Sequence, residues 1–307
     1  MQGSTVGVSP IRVGWSNRPT AWSGLLNAVT PVSTVTDTGA SRPLDLVEWA
    51  GGVEWDDRGW CEPVQWLPKT VCTPTGVDDK PGPCAPSGGG VALPFPLFQW
   101  GGCDMNLQSR DSEIRRVTVD SLLGQAEVPV ASELWASTVL HPDGVTFNPD
   151  LSRSATVIPG GPYTLVEATR LLLRAWFGVN PPGVVGAGHG WVPWFHAPAD
   201  LSGLFLETGV GAFTDGGWSV GPAPLVLSPG YGTVGPDGAG GVTPTAPTES
   251  WLMVSGPVEA SVGLIEDVAP AELHRLNKRL WFAEALAVVR PMTCRVFAVR
   301  VAGSGGC

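Results

Sequence analysis

Lysine is nearly missing from this 307-residue chain, in which Lys69, Lys80 and Lys278 stand against fifteen arginines. Charged residues make up 15% of the sequence, well under the roughly one quarter usual in soluble domains. Acidic side chains are in excess, for a formal net charge of −10. No cluster of Lys or Arg is dense enough to neutralise a run of phosphates, which argues against sequence-specific nucleic-acid binding. Catalytic signatures are also missing: there is no Walker-type phosphate loop, no dinucleotide-binding glycine fingerprint and no His-Glu-x-x-His helix. The start, Met1-Gln-Gly-Ser-Thr-Val-Gly-Val, has no basic stretch followed by an apolar core, so no secretory signal is expected. Long apolar spans are lacking too. The uncharged stretches Ala175 to Ala199 and Gly216 to Pro236 each hold four prolines and at least five glycines. In lipid these would leave backbone groups unpaired, so neither is expected to span a membrane.

What the chain does have is 41 Gly, 30 Pro and 14 Trp, with 43% hydrophobic residues. That hydrophobic content is too high for a disordered chain, and the Gly and Pro content requires many turns. A folded, loop-rich protein follows, long enough for one elaborate domain or two or three smaller ones.

Residues 1–50 are polar and punctuated, with short apolar groups such as Ile11-Arg-Val13 and no sustained helical period, and read as an extended arm. Residues 51–105 form a Trp/Cys/Pro-rich excursion holding four of six cysteines and the turn-forming run Val77-Asp-Asp-Lys-Pro-Gly-Pro83. From Ser109 to Glu127 there is no proline, and Ile114, Val117, Leu122 and Ala126 fall near helical spacing, which predicts a long helix. Pro129 should kink or break it. A second helix is predicted from the capping box Thr164-Leu-Val-Glu167 to about Phe177, ending at Gly178. Short strands with irregular links are expected over 184–231, and a Gly/Pro/Thr loop over 235–248. Trp251–Val254 and Val258–Ile265 read as one strand kinked at Gly256-Pro257 or as two.

The last thirty-one residues, with the short stretch just upstream of them, are the most specific. Pro270 behind Asp267, then Leu273, Leu276, Leu280, Ala283 and Ala287, predict an amphipathic helix that Arg290-Pro291 stops. From Cys294 the pattern alternates, with Phe297, Val299 and Val301 on one face and Val296 and Ala298 on the other, a closing strand. This helix, Arg-Pro corner and strand resemble the end of the major capsid protein of tailed double-stranded DNA phages, the Hong Kong 97-type fold. At residue level the resemblance covers 250–301; at the level of element order it covers nearly the whole chain.

The resemblance implies an α+β fold with five regions. These are an N-terminal arm (1–50), an extended loop (51–105), a spine helix with peripheral domain (106–150), an axial domain (151–248), and a peripheral-domain return strand, helix and closing strand (249–307). It further implies a virion protein assembled in the host bacterial cytoplasm. Copies would join into pentamers and hexamers that close an icosahedral shell, with scaffold, portal and decoration proteins as possible partners. Double-stranded DNA would be enclosed without sequence-specific contacts; an acidic wall would not hold the packed polymer tightly. An encapsulin-type compartment shares the fold. Scarce lysine beside abundant Arg, Ala, Gly and Val is what a GC-rich coding sequence produces, which fits an actinobacterial host or its phage.

Several motifs invite chemistry. Gly217-Trp-Ser219-Val-Gly221 matches a hydrolase nucleophile elbow, and His274 with Asp237 or Asp267 completes the chain order of a triad. Pro222 and Pro224 leave no room for the helix such an elbow needs, so a glycine-rich turn is the better reading. Cys61, Cys72, Cys84 and Cys103 lack the paired spacing of a zinc site. They are expected to form one or two disulfides or to remain reduced thiols. Cys294 reads as packing and Cys307 as a terminal thiol. His189 and His196 lie in an aromatic-rich turn without an adjacent carboxylate or thiol, so local hydrogen bonding is expected rather than metal ligation.

Trp49, Trp55, Trp60, Trp66 and Trp100 gather around the excursion. They suit either intersubunit anchoring, with Trp55, Trp60 and Trp66 the candidates, or stacking on sugars as in a glycan-binding adhesin. Some members of the resembled family cross-link subunits from a loop lysine to an asparagine. Lys69 and Lys80 occupy that region here, and no partner asparagine aligns. No catalytic residue, cofactor or metal is expected.

Overall fold

The computed structural model describes residues 11–12, 25, 30–31, 53–54, 91–104, 111–178, 192–214, 217–232, 234–265, 271–273, 278–291 and 295–303. The architecture is α+β. Short strands β1 (Ile11–Arg12), β2 (Thr30–Pro31), β3 (Val53–Glu54) and β4 (Val91–Ala92) precede a ten-residue strand, β5 (Phe95–Asp104). Helices α1 (Asp111–Gln125) and α2 (Glu127–Trp135) follow. The break between them lies at Ala126, three residues before Pro129, which sits in the first turn of α2, where a proline costs no hydrogen bond.

Next come α3 (Leu151–Ser154), β6 (Ala155–Val157), α4 (Leu165–Trp176) and β7 (Trp194–Pro198). A 3-10 turn (Ala199–Leu201) leads into α5 (Ser202–Thr208), a short helix where the sequence suggested only strands. Strands β8 (Ala212–Thr214), β9 (Gly217–Val220) and β10 (Ala223–Ser228) complete this block. The stretch 235–248, expected to be loop, contains a hairpin of β11 (Val234–Pro236) and β12 (Val242–Pro244). The chain closes through β13 (Glu249–Ser255), β14 (Val258–Ile265), β15 (Ala271–Leu273), β16 (Lys278–Pro291) and β17 (Val296–Ala302).

The α4 boundaries follow from its sequence. Thr164 caps the helix by accepting the Glu167 N–H at 3.4 Å, and Gly178 just past its end takes φ +79°, where a Cβ would be strained.

Seven strands form a mixed sheet in the order β6-β17-β13-β7-β10-β9-β8. Its central strands are buried on both faces, as the alternation in the last strand predicts. Phe297, Val299 and Val301 join one apolar cluster with α4, while Val296 and Ala298 join another. That second cluster continues beneath α2 to a long antiparallel ladder in which β16 lies between β14 and β5. Strands β13 and β14 carry the chain from sheet to ladder across Gly256-Pro257, so two strands occur where one kinked strand was the alternative.

Where a helix was expected over 270–290, the described residues form strands β15 and β16. The apolar residues there fit a helical period, but Ala283, Ala285, Ala287 and Val289 also recur at every second position and line one buried face. Strand β16 pairs with β5 from Lys278 to Ala287 and with β14 from Glu284 to Pro291. Helix propensity of Ala, Leu and Glu is worth tenths of a kcal/mol per residue and yields to pairing on both edges. The small alanines let α1 and α2 lie across the strand. Arg290-Pro291 is thus the end of a strand opposite Glu259 and Val258, and the pre-proline restriction, read as a helix stop, favours extended backbone equally.

Candidate self-association surface

One face of the ladder is covered by helices, and the other is open along β5, while farther along it Val288, Arg290 and Glu259 are buried. On β5, Phe95 and Leu97 are buried, Gln99 is half-buried, and a Cβ at Gly101 would collide with the Thr118 hydroxyl of α1. This face packs on the helices. The alternate residues Pro96, Phe98 and Trp100 point away, with Phe98 70% and Trp100 60% exposed. Directly across on β16, Pro96 faces Leu286, Phe98 faces Glu284 and Trp100 faces Phe282. Phe98 and Trp100 therefore share one exposed stretch of the sheet face. Elsewhere, Phe213 on edge strand β8 is 60% exposed and leans on Trp218, with ring centroids 5.5 Å apart.

Polar contacts hold the ladder in place. Glu259 and Arg290 are buried opposite one another on β14 and β16, with Arg290 Nε donating to Glu259 Oε2 at 3.0 Å and Nη2 at 2.5 Å. Buried Asn148 clamps the entry to β5 through a two-way bond to Leu93. Its Oδ1 accepts the Leu93 N–H and its Nδ2 donates to the Leu93 carbonyl, each at 2.7 Å. Buried Asp150 accepts the backbone N–H of Ser137 at 3.1 Å and of Arg153 at 2.7 Å, and pairs with the Arg153 guanidinium; burial is the main cause that raises its carboxyl above the usual range. Strand β3 pairs antiparallel with β4, which brings the two ends of segment 53–92 together.

The chemical motifs resolve differently. Ser219 lies on β9 and is followed by a turn at Gly221 (φ +58°) into β10, so the strand-to-helix geometry of a nucleophile elbow is absent. Asp237 accepts the N–H groups of Ala239 and Gly241 within its own turn, bonds that lower its carboxyl, and is a loop brace. His196 lies on strand β7 rather than in a turn, and it is fully buried and hydrogen-bonded across the sheet, with Nδ1 3.2 Å from the Tyr231 hydroxyl and Nε2 2.9 Å from Ser255 Oγ. Burial pushes its imidazole down to about 3.

Among the described residues no group of three or more His, Cys, Asp or Glu is arranged to hold a metal ion, and no helix is long and apolar enough to cross a membrane. Cys103 lies on β5 opposite Arg279. Trp49, Trp55, Trp60, Trp66, Lys69, Lys80, Cys61, Cys72, Cys84, His189, Asp267, His274, Cys294 and Cys307 lie outside the described residues. Phe98 was not singled out from the sequence, although the run Phe95-Pro-Leu-Phe-Gln-Trp100 puts apolar residues on both faces of one strand, more than a single core can cover.

No protein-family model and no curated protein matches this sequence. Solved structures do match. A chain of Mycobacterium phage Che8 is similar over 93% of this chain and 98% of its own, at 13% identity and a TM-score of 0.44. The capsid of an empty GTA particle is similar over 89% and 95%, at 11% identity and a TM-score of 0.43. The holo-encapsulin complex from Synechococcus elongatus is similar over 72% and 79%, at 12% identity and a TM-score of 0.42.

Proposed function

We propose that this protein is a shell subunit of the Hong Kong 97-type fold, the major capsid protein of a tailed phage. Pentamers and hexamers of it would close an icosahedral shell around double-stranded DNA. The observation that carries this reading is the ladder face bearing Phe98 and Trp100, a pair of exposed aromatics on a three-stranded support. A monomer gains nothing from such a surface; a protein whose output is assembly needs one. Covering both rings removes on the order of 250 Å² of apolar area from water, about 6 kcal/mol per contact before ordering costs. Repeated over a closed shell, contacts of that size give cooperative assembly.

In this reading the five sequence regions keep their roles as arm, extended loop, spine and peripheral domain, axial domain and return segment, with β16 a strand inside the last. Trp55, Trp60 and Trp66 remain candidate intersubunit anchors, and Lys69 and Lys80 candidate loop contacts. Subunits would assemble in the cytoplasm of the host, for which an actinobacterium is proposed. Electron microscopy of the expressed protein tests the proposal, with round particles of uniform diameter expected. Nucleic-acid content of particles from infected cells separates a phage capsid from a compartment shell. Tryptophan fluorescence unchanged by cell-wall polysaccharide is expected, whereas a saturable response would favour a glycan-binding adhesin.

A further inference from the structure

A chain of oriented hydrogen bonds leads from strand β13 into the apolar cluster that also holds Leu25, which is deeply buried among the described residues of the arm region. Ser255 Oγ donates to the Gly256 carbonyl at 2.7 Å, so its oxygen must accept from His196 Nε2. That fixes the tautomer: Nε2 carries the hydrogen, and Nδ1 accepts from the Tyr231 hydroxyl at 3.2 Å. Tyr231 stacks on Trp135 of α2, with centroids 4.7 Å apart. Next to it, Gly230 is so close to α2 that a Cβ there would collide with the Val128 carbonyl, Ala131 and the Ser132 amide.

The first residue of α2, Glu127, accepts the backbone N–H of Leu25 at 2.6 Å, and Leu25 is fully buried in the same cluster as Tyr231 and Trp135. Strands β10 and β13 set Val226 and Met253 opposite His196. Among the described residues, the titratable group in contact with His196 is Tyr231, and the charge acting at Tyr231 is that of Glu127.

We propose that Tyr231, His196 and Ser255 form an acid-operated latch on the arm: a proton taken up at His196 Nδ1 reverses the Tyr231 hydroxyl and loosens the Leu25–Glu127 anchor. The proton comes from solvent. Once Nδ1 bears it, the Tyr231 oxygen must accept instead of donate, and its own hydrogen turns toward the Glu127 side. The ring then shifts against Trp135, and α2 moves with it, because the 228–231 turn has no slack at Gly230. Closed, the latch keeps His196 neutral down to about 3. Opened, the imidazole returns to its ordinary value of about 6.5. Because the open form binds more protons below that value, falling pH favours it, and at pH 4.5 its population relative to pH 7 rises up to about 70-fold. This device is independent of the shell reading.

Site-resolved amide exchange on the full-length protein tests it, with rates corrected for intrinsic pH dependence. Between pH 7 and 4.5 the Leu25 amide should lose up to about 70-fold protection while amides of α4 keep theirs. His196→Gln, which can accept from Tyr231 and donate to Ser255 but not ionise, should abolish the loss. Equal loss at Leu25 and α4 in the unaltered protein would mean global acid unfolding and overturn the proposal, whether or not the variant folds. An unchanged Leu25 response in a folded His196→Gln protein would overturn it equally.

Discussion

Replacing Arg290 by alanine should be among the most damaging single changes in the ladder. Its guanidinium and the Glu259 carboxylate are side chains only 4% and 10% exposed, joined by two hydrogen bonds and placed directly opposite in the β14–β16 register. Without Arg290 the carboxylate stays buried with its main cation removed, and breaking such a pair from one side costs about 3–5 kcal/mol. The pair as a whole is worth far less, since both charges were desolvated to make it. A double replacement, Glu259→Leu with Arg290→Met, should therefore lie within about 1 kcal/mol of the natural protein or above it.

Urea unfolding of the four members of this cycle measures both quantities, provided subunits are kept unassembled. Little salt dependence is expected, in contrast with the exposed Arg116–Asp120 pair on α1, whose side chains are 69% and 60% exposed. If Arg290→Ala alone cost less than about 1 kcal/mol, the pair would have to be solvated, and the packing described for the ladder would be wrong.

Three further outcomes follow from other parts of the structure. Thr164→Ala removes the oxygen that accepts the Glu167 N–H and should cost about 1 kcal/mol by chemical denaturation, with Thr164→Asp restoring it. Gly235→Ala puts a methyl group into the Trp251 indole, which is 4% exposed and has no room to retreat. That change should lower stability by about 2–3 kcal/mol and alter the near-ultraviolet tryptophan signal. Replacing Phe98 and Trp100 together by serine should leave monomer stability within about 0.5 kcal/mol, because neither ring supports the core, while reducing particle yield in sedimentation at least tenfold. Normal particle yield from that variant would remove the ladder face from the assembly account.

The sequence was informative where a local rule and the tertiary environment agree. The Thr164 cap and Gly178 stop bound α4, Pro129 separates two helices, and the alternation from Val296 to Val301 assigns each residue to its cluster. It misled where they disagree. Residues 278–291 satisfy both a helical and a two-residue period, and what selects the strand is a pair of partners as far away as Phe95 and Ile265. No window around residue 285 contains that information. The hairpin at 234–244 and helix α5 were missed for a similar reason, since Gly- and Pro-rich text hides short elements fixed by side-chain contacts such as Trp135 Nε1 to the Val234 carbonyl at 2.6 Å.

The candidate surface was half legible. Trp100 belonged to an evident tryptophan cluster, but its partner Phe98 is disclosed only by which face of β5 the helices cover. The chain order of Ser219, Asp237 and His274 matches a triad, but Pro222 and Pro224 already point to a glycine-rich turn, and Ser219 does lead through a turn into another strand.

The central claim is that this chain works by covering its exposed aromatic ladder face with further copies of itself. Sedimentation velocity on the purified full-length protein, followed by imaging of the fastest fraction, tests it most directly. A bimodal distribution of subunits or small rings and closed particles of one diameter is the expected result. A single sharp boundary at the mass of one chain, across concentrations and salts that promote shell assembly, would contradict it.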